Sequence, residues 1–130
     1  ILALVPLASG LLSGKLTAES TFAPTDQRTN NRNGELFDKG ETFSGVDYLT
    51  GVQAAAELKQ RLGTDNLAAM ALRYILMSPA VSAVIPGASS PDQIERNTIA
   101  SDLPALTPAQ MQIVQDVYDA RIKDPVHYLW

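Results

Sequence analysis

Two short, largely apolar runs, residues 1–5 and 81–85, constrain the fold of this chain more than any other feature. Such runs are typical of strands that are buried on both faces, as in a parallel sheet. Helical patterns lie between them and after them, so the alternation predicts a parallel α/β fold. Two strands of this kind do not form a stable sheet by themselves. We therefore interpret the chain as a fragment whose other strands come from a missing N-terminal part or from a partner chain.

The second apolar run leads into a sequence that suits phosphate binding. Pro86 and Gly87 end the strand, and Ser90 and Pro91 are favoured at the start of a helix. Gln93 follows at the spacing at which its side chain can return to the Ser90 amide. Exposed amides and the positive end of the helix dipole meet at such a turn, which makes it a candidate anion site. The turn is also expected to need Gly87 for its conformation, whether or not a phosphate binds there.

Helix patterns account for most of the second half of the chain. Gly63 suits the C-terminal end of one helix, Thr64 and Asp65 can cap the next, and Thr107 with Gln110 forms a capping-box pattern. The predicted helices cover residues 46–62, 65–77, 91–100 and a segment that begins at 108.

A long segment, residues 7–44, shows neither the alternation of a strand nor the repeat of an amphipathic helix. It carries several glycines and polar clusters. Irregular segments of this length are uncommon in compact domains and are often functional lids. This segment holds the cations Lys15, Arg28, Arg32 and Lys39 among several acids. The pattern fits either a positively charged lid over an anion or a solvated surface excursion.

Composition excludes several function classes. The chain has 130 residues, a formal net charge of −4 and no cluster of Lys or Arg, which argues against nucleic acid and anionic membranes as partners. It has no cysteine, and its single histidine, His127, makes a zinc site improbable. The lack of cysteine is compatible with the cytoplasm, where we expect the protein to reside. No apolar stretch is long enough to cross a bilayer.

Two motifs resemble those of the aldo/keto reductase family. The segment Pro6–Lys15, with the sequence PLASGLLSGK, is similar to the loop after the seventh strand of that family. The segment Val84–Ser89, followed by Gln93 and Asn97, resembles its cofactor motif after the eighth strand. The resemblance covers essentially the whole chain. It implies that residues 1–130 are the C-terminal part of an aldo/keto reductase domain, the last two strand–helix units of a (β/α)₈ barrel.

The resemblance implies an NADPH-dependent reductase of aldehydes and ketones, with a small-molecule carbonyl substrate. Such barrels place phosphate sites in the loops after strands seven and eight. The family's catalytic Asp, Tyr, Lys and His are expected upstream of residue 1, and Tyr48, Tyr74 and Tyr118 are predicted on helices, outside that role. The cofactor residues implied by the motifs are Pro6, Leu7, Ala8 and Ser9 at the nicotinamide ribose and diphosphate, Lys15 and Arg28 at the diphosphate, Gly87 and Ser89 at the 2′-phosphate, and Gln93 and Asn97 at adenine.

Each assignment has a simpler structural alternative. Lys15 and Arg28 can be solvated surface residues, Gln93 can serve only as a cap, and Asn97 can simply face the solvent. Two departures from the family pattern also matter. Leu4 stands where many members carry an aromatic residue that stacks on the nicotinamide. Ser89 stands where many carry an arginine that contacts the 2′-phosphate, so we expect only modest discrimination between NADPH and NADH.

Two other functions stay open. Aldo/keto reductase-like β subunits of potassium channels keep the cofactor site and act as regulatory partners, so the chain can belong to a binding module. It can also be a barrel remnant without a ligand. Catalytic residues upstream of residue 1 would distinguish the enzyme from the binding module and from the remnant. Binding of the cofactor would distinguish the remnant from the enzyme and the binding module. In the tail, Tyr128 and Trp130 are candidates for the mouth of a substrate pocket.

Overall fold

A computed structural model describes residues 1–129 and contains a two-stranded sheet. Strand β1 (Leu2–Leu4) pairs with strand β2 (Ala83–Ile85) in parallel, with Leu2 opposite Ala83 and Leu4 opposite Ile85. The predicted parallel α/β arrangement is therefore confirmed for these two strands. Each strand is shorter than the apolar run that predicted it, because only three residues on each side are paired.

The prediction that these strands are buried on both faces is wrong for the described residues. Leu2, Leu4 and Ile85 share one face of the sheet and are 62%, 69% and 48% exposed. Ala3 and Val84 point to the opposite face and are half-buried. The described elements cover only that second face, so the apolar side chains on the first face remain in solvent.

Helices make up most of the remaining regular structure, and several of their ends differ from the prediction by one or two residues. The helices are α1 (Gln27–Asn30), α2 (Tyr48–Leu62), α3 (Leu67–Leu76), α4 (Pro91–Thr98), α5 (Pro108–Val117) and α6 (Lys123–Val126). Helix α3 starts later than expected, because the Asn66 side chain, rather than Thr64 or Asp65, accepts the capping bond, from the Ala69 amide. After α5 the chain forms a π-helical turn (Tyr118–Ile122) that runs into α6.

Other caps are confirmed. The Ser90 hydroxyl accepts a bond from the Gln93 amide, and Pro91 is the first residue of α4. Thr107 and Gln110 form a complete capping box at α5. Gly63 ends α2 with a φ of 60°, a left-handed conformation that glycine adopts without strain.

The long segment between β1 and α2 is more ordered than predicted. It contains α1 and three short 3₁₀ turns, Ala8–Ser13, Lys39–Glu41 and Phe43–Gly45. Asn31 inside it is fully buried: its carbonyl oxygen accepts bonds from the amides of Leu36 and Phe37, both at 2.8 Å, and its amide donates to Thr42. A local side-chain network therefore replaces regular secondary structure here.

The core lies between this segment and the helices. Phe43 and Leu72 are completely inaccessible to solvent, and Val117 and Val126 nearly so. Within residues 1–129, none of the helices has the length and apolar character that a membrane span requires.

Candidate functional site

The two motif loops leave adjacent strands at the same edge of the sheet. Because β1 and β2 are parallel and in register at Leu4 and Ile85, the segments that begin at Val5 and Pro86 start side by side. Hydrogen-bonded strands are about 4.8 Å apart. The fold therefore brings together the starting points of both predicted cofactor segments.

The loop after β1 is held in a strained conformation. Val5, Ala8 and Ser9 have φ values of 48°, 48° and 55°, a region that residues with side chains rarely adopt, least of all β-branched valine. Such strain persists only where the surroundings enforce it, and it is concentrated at functional sites. Here Pro6 is buried, and Leu7, Ala8 and Ser9 are half-buried.

Ser9 links this loop to the far end of the long segment. Its hydroxyl oxygen accepts a hydrogen bond from the Phe43 amide at 3.1 Å. Phe43 also has a positive φ, of 52°, as does Ser44, at 55°. This hydrogen bond joins the two strained stretches, the loop after β1 and residues 43–44. The segment between Ser9 and Phe43 is therefore closed into a loop with fixed ends.

Arg28 lies within this closed segment and is bound to Asp26. Its Nε donates to one carboxylate oxygen of Asp26 at 2.9 Å and its Nη2 to the other at 2.7 Å. The Arg28 backbone amide donates to the same carboxylate, which caps α1. The pKa of Asp26 is lowered to about 2, mainly by the side-chain bonds with Arg28 and then by this amide.

An aromatic cluster of Phe22, Phe43 and Tyr48 supports Arg28 from below. The ring centroids are 5.1 to 6.3 Å apart, and the Tyr48 hydroxyl donates to the Thr17 carbonyl at 2.7 Å. The Arg28 guanidinium stacks 4.2 Å from the centre of the Phe22 ring. Its Nη1 lies 3.7 Å from the position that a Cβ at Gly10 would occupy, against the loop after β1.

The other predicted cations behave differently. Arg32 stacks 4.6 Å from the centre of the Tyr48 ring and donates through Nε to the Arg28 carbonyl, so it supports the same cluster. Lys15 and Lys39 are exposed, and neither forms an ion pair with any residue from 1 to 129. The structure therefore places Arg28 against the loop after β1 and leaves Lys15 at the surface.

The loop after β2 is open. Gly87 is exposed, and a Cβ built on it would have no atom within 4 Å. Its φ lies outside the left-handed region, so the expectation that the turn needs a glycine for its conformation is wrong. What the glycine provides is unobstructed space beside the turn.

Gln93 closes this second loop on itself. Its side-chain carbonyl accepts bonds from the Ser89 amide at 2.6 Å and the Ser89 hydroxyl at 3.1 Å. The prediction that it returns to the Ser90 amide is wrong by one residue, because both donors that it meets belong to Ser89. Asn97 lies one helical turn further along the same face of α4 and is half-buried.

One cavity of the described chain is apolar rather than polar. It measures about 580 Å³ and is lined almost entirely by apolar side chains, most of them from α2, α3 and α5. Of the predicted cofactor residues it includes only Ala8. Among residues 1–129 no cluster of His, Asp and Glu side chains is suited to a metal ion.

The tyrosines lie on helices, as predicted: Tyr48 at the start of α2, Tyr74 in α3 and Tyr118 in the π-helical turn. The Tyr118 hydroxyl forms a hydrogen bond with Nδ1 of His127, which gives both side chains a structural contact. Tyr128 is 77% exposed, and Trp130, the other tail residue proposed for a pocket mouth, lies outside the described residues.

Sequence reasoning missed two parts of this site. It assigned no role to Asp26, although an Asp two residues before an Arg has the reach for a local ion pair. It also missed the aromatic cluster, because Phe22, Phe43 and Tyr48 are far apart along the chain and follow no common periodicity.

Comparison with known proteins agrees with the two motifs. Residues 1–119 match the sequence pattern of the aldo/keto reductase family. The chain belongs to the aldo/keto reductase family. Relatives include a probable voltage-gated potassium channel subunit beta of Arabidopsis thaliana, 33% identical over 95% of this chain and 36% of that protein. The L-glyceraldehyde 3-phosphate reductase of Escherichia coli K12 is 30% identical over 93% of this chain and 34% of that protein.

A solved structure gives the same assignment. The glycerol dehydrogenase AKR11B4 from Gluconobacter oxydans superposes with a TM-score of 0.68 at 26% identity, over 96% of this chain and 36% of that structure. The chain therefore spans about a third of the length of the family members that it matches.

Proposed function

We propose that this chain is the cofactor-binding part of an NADPH-dependent oxidoreductase that reduces aldehydes or ketones to alcohols. In this proposal β1 and β2 are the last two strands of a (β/α)₈ barrel, and residues 1–130 are the C-terminal part of the domain. The exposed apolar face of Leu2, Leu4 and Ile85 would then face the barrel interior. For that reason we expect the 130-residue chain to fold poorly alone.

The observation that carries the proposal is the position of Arg28 against the loop after β1. A half-buried guanidinium lies beside Gly10, on the strained loop that starts next to the open turn at Gly87. A cation and a turn without obstructing side chains, at one edge of a parallel sheet, fit the two anionic groups of NADPH, its diphosphate and its 2′-phosphate.

The roles divide between the two loops. Pro6, Leu7, Ala8 and Ser9 would contact the nicotinamide ribose and diphosphate, with Arg28 and the more exposed Lys15 supplying positive charge. In the second loop, Gly87 and Ser89 would receive the 2′-phosphate, and the Gln93–Asn97 face of α4 would receive the adenine. Because the Ser89 donors already bond to Gln93, the 2′-phosphate gains little there, which supports modest discrimination between NADPH and NADH.

NADPH, when bound, supplies the hydride for carbonyl reduction. This chain's residues would bind and orient it, and the strained loop and aromatic cluster would exclude water beneath the diphosphate. The proton donor and the groups that tune it would lie upstream of residue 1.

A second candidate is a regulatory subunit of the potassium-channel β type that binds NADP(H). It is favoured by the 33% identity to proteins named as probable channel β subunits in Arabidopsis thaliana and Oryza sativa. Both candidates share the cofactor site and differ in turnover.

Steady-state turnover of the native full-length protein tests the proposal. We expect consumption of NADPH that depends on an added aldehyde or ketone and yields the alcohol. Saturable NADPH binding without turnover across such carbonyls would support the regulatory subunit, and no binding would contradict both.

A further inference from the structure

We propose that Asp26 is a positioning residue, which fixes the Arg28 guanidinium so that its outer edge faces a diphosphate held on the loop after β1. The inference deepens the proposed function and rests on it. It starts from the only carboxylate that Arg28 contacts among residues 1–129.

The geometry leaves one edge of Arg28 available. A guanidinium has five N–H donors, and Asp26 takes two of them through Nε and Nη2. The Nη1 donors and the second Nη2 donor point away from the carboxylate. Nη1 is also the atom that lies against Gly10. An edge with two adjacent nitrogens matches the spacing of two phosphate oxygens.

Two contacts reduce the mobility that an arginine side chain normally keeps: Asp26 holds it at two atoms, and Phe22 lies 4.2 Å beneath it. A bond from Arg32 to the Arg28 carbonyl fixes the backbone that carries the side chain. Asp26 itself is fixed, because its carboxylate caps α1 through the Arg28 amide. A cation ordered before the ligand arrives loses less entropy on binding than a mobile one.

The carboxylate also has an opposing effect. Asp26 neutralises part of the positive charge that the diphosphate would meet. At 26% side-chain exposure, solvent screens part of that effect, whereas the geometric restraint is not screened. The proposal therefore predicts that removing the charge of Asp26 weakens cofactor binding, although simple electrostatics predicts the reverse.

The test measures NADPH dissociation constants of the native full-length protein and its variants. Asp26→Asn keeps a carbonyl oxygen for the cap but loses the second oxygen that binds Arg28, so we expect about a tenfold weaker affinity, the scale of one immobilised side chain. Arg28→Ala should weaken binding at least as much, and the double variant should be no weaker than Arg28→Ala, since Asp26 acts only through Arg28.

Asp47→Asn is the matched control. Asp47 caps α2 through the Thr50 amide and hydroxyl, and among residues 1–129 its carboxylate forms no hydrogen bond or ion pair with either motif loop. It should lower stability by a similar amount and leave the NADPH affinity unchanged. Adenosine 2′-monophosphate, which lacks the diphosphate, should bind wild type and Asp26→Asn equally.

A second variant keeps the proposal falsifiable if Asp26→Asn folds poorly. Arg28→Lys keeps the charge but cannot form the two-pronged bond, so it should also bind NADPH more weakly. Wild-type affinity in Arg28→Lys, or equal or tighter NADPH binding in a folded Asp26→Asn, would overturn the inference. Absence of NADPH binding to the wild type would instead overturn the proposed function.

Discussion

The two loops at the edge of the sheet are built in opposite ways. The loop after β1 is half-buried, strained at three residues and tied to Phe43, and Arg28 lies against it. The loop after β2 is exposed, has no strain at Gly87 and satisfies the Ser89 donors with Gln93 from its own helix. Contacts with distant parts of the chain therefore fix the loop after β1, whereas the loop after β2 is fixed by hydrogen bonds to the helix that follows it.

This difference indicates how the two would contribute to binding. A loop fixed by long-range contacts keeps its shape whether or not a ligand is present, so it suits the part of a cofactor that must be oriented. An open, self-contained turn tolerates sequence change and suits a group that is only accommodated. Four experiments test this contrast.

The largest effect is expected at the open turn. Gly87→Glu places a carboxylate where a phosphate would lie, and the free space around Gly87 means that the fold is not disturbed. We expect NADPH affinity to fall about a hundredfold, or about 2.7 kcal/mol, measured by calorimetric titration.

Gly87→Gln is the control for that substitution, because it has nearly the same size without the charge. It should lose severalfold at most. Equal affinities for the two variants would mean that no phosphate lies at this turn.

The next effect concerns the closed segment. Asn31→Ala removes the acceptor for two backbone amides and the donor to Thr42 in a fully buried position. Unsatisfied buried groups of this kind cost about 2 kcal/mol of unfolding free energy. Chemical denaturation of the native protein measures the loss.

Asn33→Ala is the matched substitution at an exposed position in the same segment, where Asn33 bonds to Glu35. It should change stability by less than about 0.5 kcal/mol. If both variants lose the same amount, the buried amide does not organise the segment.

A smaller effect is expected at Gln93. Gln93→Glu keeps an acceptor for Ser89 but adds a negative charge beside the proposed 2′-phosphate. At a few ångströms in a solvated site, this repulsion is about 1 kcal/mol, or about fivefold in affinity. NADPH should be weakened by that factor and NADH hardly at all. Equal weakening of both would remove Gln93 and Ser89 from the 2′-phosphate site.

The smallest effect is a pH dependence that should be absent near neutrality. The pKa of Asp26 is lowered to about 2 from 3.8, so its pairing with Arg28 contributes its full stability above 3.8 and loses it as the pH falls through about 2. The carboxyl carbon resonance of Asp26 should not shift from about pH 7 down to about pH 4. A midpoint near the ordinary value would show that the pair is not formed.

Local sequence patterns predicted the parts of this molecule that local forces determine. The positions of the two strands, the Ser90 cap and the Thr107–Gln110 capping box each follow from a few neighbouring residues. The same reasoning located the turn that contains Gly87, but it wrongly expected the turn to need a glycine for its conformation.

The remainder depends on contacts between distant residues, which no local pattern contains. Ser9 is tied to Phe43, and Phe22 meets Tyr48 across the closed segment. The exposure of Leu4 likewise depends on what else covers the sheet, and an apolar run alone does not reveal that. Arg28 could be named from its family motif, but its orientation comes from Asp26 and Phe22.

The decisive measurement is a calorimetric titration of the native full-length protein with NADPH. We expect saturable binding with a stoichiometry of one per chain, weakened by Gly87→Glu and by Arg28→Ala. Absence of saturable binding, or binding that neither substitution changes, would contradict the claim that these two loops form a dinucleotide site.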